Sequence, residues 1–323
     1  HLIIGGAYMK YNIITLVILL TISHFQTSVS AGTVTIGMKG WYAWWDPAFG
    51  EIVSDENGIF NEAVEKNLDS KTIVTDTTAT SSGDTKTGHG YLAGPIFNYQ
   101  TDNRLWSVSI SFMIMNSFKQ EGTIKSQYTS TYVPLAPLKV NGSFTADQVI
   151  ELERKEIDCA VTRSCYHFFK LFAGYKYLSM DTNFSYFVTS YTTYGPPVGY
   201  EYDIYSISLK VHAPSIGAGL MLPLTDNFFA GVQLGVLYII PDATYTITTY
   251  GIMTTEKSSL SFENTFGFNG EASLSYLIGS SIIIQAGYRY QSIKLKTDDN
   301  HLALNEWDTF HGVTASVMYM FSI

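Results

Sequence analysis

SSIIIQAGYRYQSIKLKT, residues 280–297, and HFFKLFAGYKYLSMDT, residues 167–182, share an Ala-Gly-Tyr-cation-Tyr core. In the first, Ile282, Ile284, Ala286, Tyr288 and Tyr290 occupy one parity, and Gln285, Gly287, Arg289 and Gln291 the other. Successive side chains of a strand point to opposite faces, so this stretch is a strand with one apolar and one polar face. A soluble sheet turns its apolar face to a core. A membrane barrel inverts the arrangement, with the apolar face on lipid and the cation inside.

Composition favours the second reading. Of 323 residues, 15% are aromatic, with 23 Tyr and 19 Phe, and only 15% are charged, against roughly 25% in an average soluble chain. Hydrophobic residues make up 46%, yet beyond residue 31 no apolar run approaches the roughly eighteen residues of a membrane helix. A net charge of −9 leaves no basic patch for phosphates and argues against nucleic acid.

MKYNIITLVILLTISHFQTSVSA, residues 9–31, has a basic start, an apolar centre and small residues at its end. It reads as a secretory signal peptide cleaved after Ser30 or Ala31. The eight residues before it read as upstream sequence. Residues 1–31 are therefore set aside, and 32–323 are expected to form a single domain.

From Gly32 onward, alternating segments are joined by short and long connections in turn. The short ones are TDNR (101–104), SCYH (164–167), TDN (225–227) and GSS (279–281). The count is ten antiparallel strands, with both termini on the side of the short turns. Gly174, Gly231 and Gly287 recur 57 and 56 residues apart, at one hairpin per step. Each carries the polar parity, where a glycine lets strands coil inside a narrow barrel. Val313, Ala315, Val317, Tyr319, Phe321 and Ile323 alternate to the end of the chain.

The leader, the ladder of hairpins and this last strand resemble the bacterial outer-membrane β-barrel superfamily. Val317, Tyr319, Phe321 and Ile323 are similar to its C-terminal sorting strand, which usually ends in Phe. The resemblance implies a closed antiparallel transmembrane barrel, short periplasmic turns and long external loops. It also implies outer-membrane lipid, lipopolysaccharide and the barrel-assembly machinery as partners.

Parity then divides the side chains. Tyr42, Trp44, Tyr175, Tyr177, Tyr288 and Tyr290 are expected in an aromatic girdle at the membrane surface. Lys39, Glu156, Asp158, Lys170, Lys176, Glu263, Glu271 and Arg289 are expected to line the lumen, four cations against four anions. Two functions follow. In one, these charges line a narrow pore for small solutes. In the other they pair, fill the lumen and leave a scaffold whose external loops bind ligands or partners.

Catalysis finds little support. Asp299 and His301 have the Asp-x-His spacing of omptin-type rim proteases, but Asp46, Asp55 and Asp76 supply no second carboxylate pair. The histidines His89, His167, His212, His301 and His311 show no metal-ligand spacing. No metal or cofactor is expected, and the chain is read as not an enzyme. Residues 116–152 are read as a long external loop carrying Tyr128, Tyr132, Pro134 and Pro137, with Thr145 and Gln148 as a candidate capping box for a short helix. Cys159 and Cys165 read as a strand and a turn residue too far apart for an unstrained disulfide.

Overall fold

The computed structural model describes residues 32–46, 48, 80–85, 88–115, 118–132, 138–166, 168–192, 198–249, 254–299 and 302–323. The leader and His301 lie outside these, as do Asp55 and Asp76. The described strands are β1 (Gly32–Asp46), β2 (Thr80–Thr85), β3 (Gly88–Thr101), β4 (Trp106–Met115), β5 (Phe118–Tyr132), β6 (Leu138–Ser164) and β7 (Phe169–Thr192). They continue with β8 (Val198–Pro223), β9 (Phe228–Thr249), β10 (Thr254–Leu260), β11 (Thr265–Ile278), β12 (Ile282–Asp299) and β13 (Leu302–Ser322).

Ten of them close a ring in the order β1-β3-β4-β6-β7-β8-β9-β11-β12-β13, every neighbour antiparallel, with β1 paired to both β3 and β13. Closure is sealed at the termini, where the Gly32 and Ile323 backbones exchange two hydrogen bonds of 3.1 and 2.9 Å. The remaining three strands continue the ring outward: β5 pairs β6, β2 pairs β5, and β10 pairs β9.

The expected tight turns are present. In the first, Arg104 N–H donates to the Thr101 carbonyl at 2.8 Å, and Leu105 N–H to Asn103 Oδ1 at 3.0 Å. Gly279 supplies the left-handed φ of +62° in the last of them, a conformation a glycine adopts without steric cost.

The external segments differ from expectation. Residues 118–132 and 138–164 form strands, and the capping signal at Thr145 and Gln148 starts no helix. Thr145 pairs with Lys125 on one side and Thr189 on the other; Gln148 pairs with Gly122 and Tyr186. Two flanking strands satisfy every backbone group at once, which outweighs a local capping preference. Likewise β7, β8 and β9 run well past the membrane as 24, 26 and 22 residues of strand. The side of the barrel from β5 to β9 is thus a tall sheet, where loops were anticipated.

The glycine ladder faces inward at strand contacts. A Cβ on Gly287 would lie 2.6 Å from the Ala272 carbonyl oxygen, and one on Gly174 2.7 Å from that of Cys159. Both obstacles are backbone, so Gly287→Ala should separate β11 from β12. We expect a lower yield of the heat-modifiable folded band on refolding into lipid than for Ala286→Gly, which changes an outward position. Cys159 and Cys165 are both free thiols, the first on β6 and the second in the turn.

Candidate functional site: the barrel interior

The outer face is apolar where the chain crosses the membrane. Ile216, Leu234, Val317 and Met38 are 70, 66, 57 and 57% exposed. On β13, Val313, Ala315 and Val317 lie between His311 and Tyr319. That stretch is about 26 Å at roughly 3.3 Å per residue, of the order of the apolar band of a membrane barrel.

Aromatic side chains bound this band. Tyr42 packs on Tyr91 (4.9 Å between centroids) and Trp44 (5.1 Å), and Trp44 stacks on His311 (5.8 Å). The Tyr288 hydroxyl and His311 Nδ1 share a 2.7 Å hydrogen bond; the Tyr175 hydroxyl bonds His212 Nδ1, and Tyr177 packs on the same imidazole. Tyr290 is 46% exposed on the same outward parity. His89 lies beside Tyr42. Three of the scattered histidines therefore belong to the girdle, which their spacing in sequence does not reveal because the contacts cross strands. At the other end Tyr319 stacks on Phe321, and Ile323 is 61% exposed.

The inward face inverts this, with charge at its middle. Glu156, on β6, has 0% side-chain exposure and accepts from three cations. Arg154 Nη2 reaches it at 2.9 Å, Lys176 Nζ at 2.8 Å, and Arg289 Nη2 closes on the same carboxylate. Lys176 also bonds Asp158 at 2.7 Å. Beside them Lys39 Nζ bridges both Glu271 oxygens at 2.9 and 2.7 Å, and the Thr314 hydroxyl donates to Glu271 at 3.3 Å.

One of these contacts decides the cross-section. Arg289 stands on β12 and Glu156 on β6, five strands away in either direction around the ten-strand ring. Their pair therefore spans the lumen.

Above the ions lies an aromatic layer. The Arg154 guanidinium sits 4.0 Å from the Phe310 ring centroid, and that of Arg289 4.6 Å from Trp41. Arg154 Nε and Nη1 meet no acceptor among the described residues, so the ring faces of Phe310 and Trp41 are what these N–H groups encounter. Trp45 stacks on Phe310 (5.8 Å) and meets Phe118 edge-on (5.4 Å). Its Nε1 donates to Asp308 Oδ1 at 2.8 Å, which also accepts from the Ala48 N–H at 3.3 Å. Around these rings Leu92, Met113, Ile150, Leu152, Leu178, Leu209, Leu237, Ile239 and Leu295 are all 0 or 1% exposed. Toward the short-turn side the interior becomes small and polar, with Ser316 donating to Gln285 at 3.3 Å.

Of the residues expected in the lumen, Glu156, Asp158, Lys176 and Arg289 meet in one network, and Lys39 and Glu271 pair beside it, Glu271 standing opposite Arg289 in register. Lys170 stands apart near the short turns, its Nζ 3.7 Å from Met221 Sδ. Glu263 is corrected: it lies in the irregular break between β10 and β11, half exposed, and pairs at 2.8 Å with Lys296, whose parity on β12 is outward. Counting by two fails across that break. Arg154 and Asp308 take their places, which restores four cations to four anions. Arg154 shares the parity of Glu156, and Asp308 that of Phe310, so both were accessible to the same counting. Residues of the Asp299–His301 pair cannot be compared, because His301 lies outside the described residues.

An apolar exterior flanked by aromatics, a charged interior and closed antiparallel pairing now stand together. This is the architecture of a transmembrane β-barrel. The sequence matches no family profile and no curated protein at significance. Among solved structures, the chain is similar to the outer-membrane protease OmpT from Escherichia coli (9% identity, 92% of this chain and 99% of that one, TM-score 0.47). It is also similar to the translocator domain of the autotransporter NalP from Neisseria meningitidis (10%, 98% and 98%, 0.32) and the toluene transporter TodX from Pseudomonas putida (8%, 91% and 90%, 0.32). A fold does not by itself fix an activity, so activity has to be argued from this chain's own interior and surface.

Proposed function

We propose that this barrel is a closed scaffold of the outer membrane whose tall β5–β9 wall binds ligands or partners outside the cell. The observation that carries this reading is the Arg289–Glu156 pair across the lumen, roofed by Trp41, Trp45, Phe118 and Phe310. A narrow pore requires its charges to be wetted and leave a continuous path. Here Arg154, Glu156, Lys176 and Arg289 are at most 4% exposed in their side chains, and an apolar layer follows them. The wall, by contrast, rises as 24, 26 and 22 residues of strand in β7, β8 and β9, well beyond what a membrane crossing needs.

Single-channel recording in a planar bilayer tests the proposal. Folded protein is expected to give no steady current. Regular, salt-dependent steps from the unaltered protein would return the narrow pore, with Lys39, Asp158 and Glu271 as the first residues to vary.

A further inference from the structure

On the short-turn side of the ion layer, the inward faces of the strands enclose a chamber with one aromatic wall. Phe172 on β7 shares the inward parity of Lys176, is half-buried, and meets no other ring among the described residues. Its ring lies across two glycines of neighbouring strands: a Cβ on Gly217 would overlap it, and one on Gly235 would come 3.0 Å from its Cζ. Register partners followed from Phe172 through β8, β9, β11 and β12 lead to Phe310 on β13. Followed the other way, through β6, β4, β3 and β1, they lead to Ser322. A closed barrel shares its stagger around the ring, so the position on β13 level with Phe172 lies midway, at Ser316. The opposite wall is therefore Ser316 with its register partner Gln285, and the same reckoning puts Gln233 of β9 level with the ring. The polar groups here are open. Ser316 donates to Gln285 Oε1 at 3.3 Å, and the Gln285 amide nitrogen has no acceptor among the described residues. Gln233 is exposed although its parity is inward. Asp158, just above in the ion layer, gives Oδ2 to Lys176 and keeps 29% side-chain exposure, against 0, 1 and 4% for Glu156, Lys176 and Arg289. The aromatic layer closes the other side, so Asp158 opens toward the chamber.

We propose that this chamber binds one ring of a neutral sugar, entered from the short-turn side, with a C–H face on Phe172 and hydroxyls on Gln233, Gln285 and Asp158. The proposal rests on the closed ion layer argued above, which makes this half of the lumen blind. Ten strands exceed the roughly eight whose interior holds side chains or one small ligand, and glycine and serine fill little of the added width. A pyranose has apolar C–H faces and a rim of hydroxyls, each both donor and acceptor. An aromatic face carries negative π density, against which polarised C–H groups pack. One such face, with two amides, a serine and a carboxylate oxygen around it, complements the sugar's faces and its rim together. An aromatic guest would stack on Phe172 as well, but its edge would leave both amides desolvated and unpaired. Charge argues against an ion. The four cations and four anions of the ion layer already balance, so a charged guest would be desolvated without a counter-ion of its own. Lys170, two residues nearer the mouth and 3.7 Å from Met221 Sδ, favours an anion, which makes an acidic sugar the competing occupant.

The test uses the refolded protein in an amine-oxide detergent, which has no sugar headgroup to compete. Glucose, N-acetylglucosamine, maltose, glucuronate and toluene are the probes; saturation-transfer NMR reads contact and titration calorimetry reads affinity. Transfer is expected to the ring C–H protons of the neutral sugars. Phe172→Leu stays apolar but removes the aromatic face, and should weaken binding about tenfold. Gln233→Ala should weaken it several-fold, and Glu263→Gln, in the exposed pair with Lys296, should change nothing. A heat-modifiable band certifies folding of each variant, and if Phe172→Leu does not fold, Gln233→Ala with Gln285→Ala is read in its place. Absence of transfer to all three neutral sugars overturns the proposal, as does binding that these chamber variants leave unchanged. Glucuronate held more tightly than glucose overturns the neutral assignment, and toluene held more tightly overturns the sugar assignment. Glucose entry into proteoliposomes, followed by swelling, would overturn the closed ion layer; the sugar site is judged separately, by the Phe172 and Gln233 variants.

Discussion

Glu156→Gln is expected to destabilise the folded barrel by about 3–5 kcal/mol, the usual cost of removing one partner from a buried ion pair. The carboxylate has 0% side-chain exposure and is the shared acceptor of Arg154, Lys176 and Arg289. Glutamine keeps the shape but cannot neutralise three guanidinium and ammonium groups. Only Lys176 and Arg289 retain Asp158 in reach, at 2.7 and 3.8 Å, so Arg154 is left without its bonded anion in a layer of aromatic rings. Urea unfolding in lipid vesicles, followed by tryptophan fluorescence, reads the effect. Glu263→Gln is the comparison, because its pair with Lys296 is 35% and 50% exposed and exposed pairs contribute only about 0–1 kcal/mol. Equal shifts for the two variants would mean that water reaches Glu156 and that the ion layer is not closed.

The second large effect is expected in the aromatic roof. Trp41 and Trp45 are each 1% exposed, and truncating a buried ring costs about 3–5 kcal/mol through lost contacts and the cavity left behind. Trp41→Ala should therefore lower the unfolding midpoint, and Trp45→Ala should do so as well while releasing the Nε1 bond to Asp308. The more informative variant joins the roof to the cross-lumen pair. Trp41→Ala with Arg289→Ala removes both members of a contact at 4.6 Å and clears one side of the lumen at two successive levels. Current steps from this variant, set against silence from the unaltered protein, would identify the plug. A folded but silent double variant would show that Leu152, Leu178 and Leu209 close the barrel without it.

How much of this was legible in the chain depends on whether a residue's role is local. Tyr42 and Trp44 point outward, and Lys176 and Arg289 inward, because strand parity alone sets the face. The same counting exposes Arg154, two residues before Glu156, and leaves Trp41 and Trp45 inward once Tyr42 and Trp44 are outward. Glu263 was misplaced because the strand breaks at 261–264 and parity has no meaning across the break. The segment 138–164 was read as a loop and helix start because Thr145 and Gln148 fit a capping pattern; the two strands that pair with it are distant in sequence. His212 and His311 read as isolated residues for the same reason.

Alternation, turn residues and the glycine spacing of the sequence thus determine by themselves a ten-strand antiparallel barrel, its lipid face and its inward charges, since each depends on residues one or two positions apart. Which charges meet was decided only by ring closure. Glu156 and Arg289 lie 133 residues apart, and they touch because strand number and stagger bring opposite walls within reach of two long side chains. The ion pair across the lumen is a consequence of that register, which a single strand does not contain.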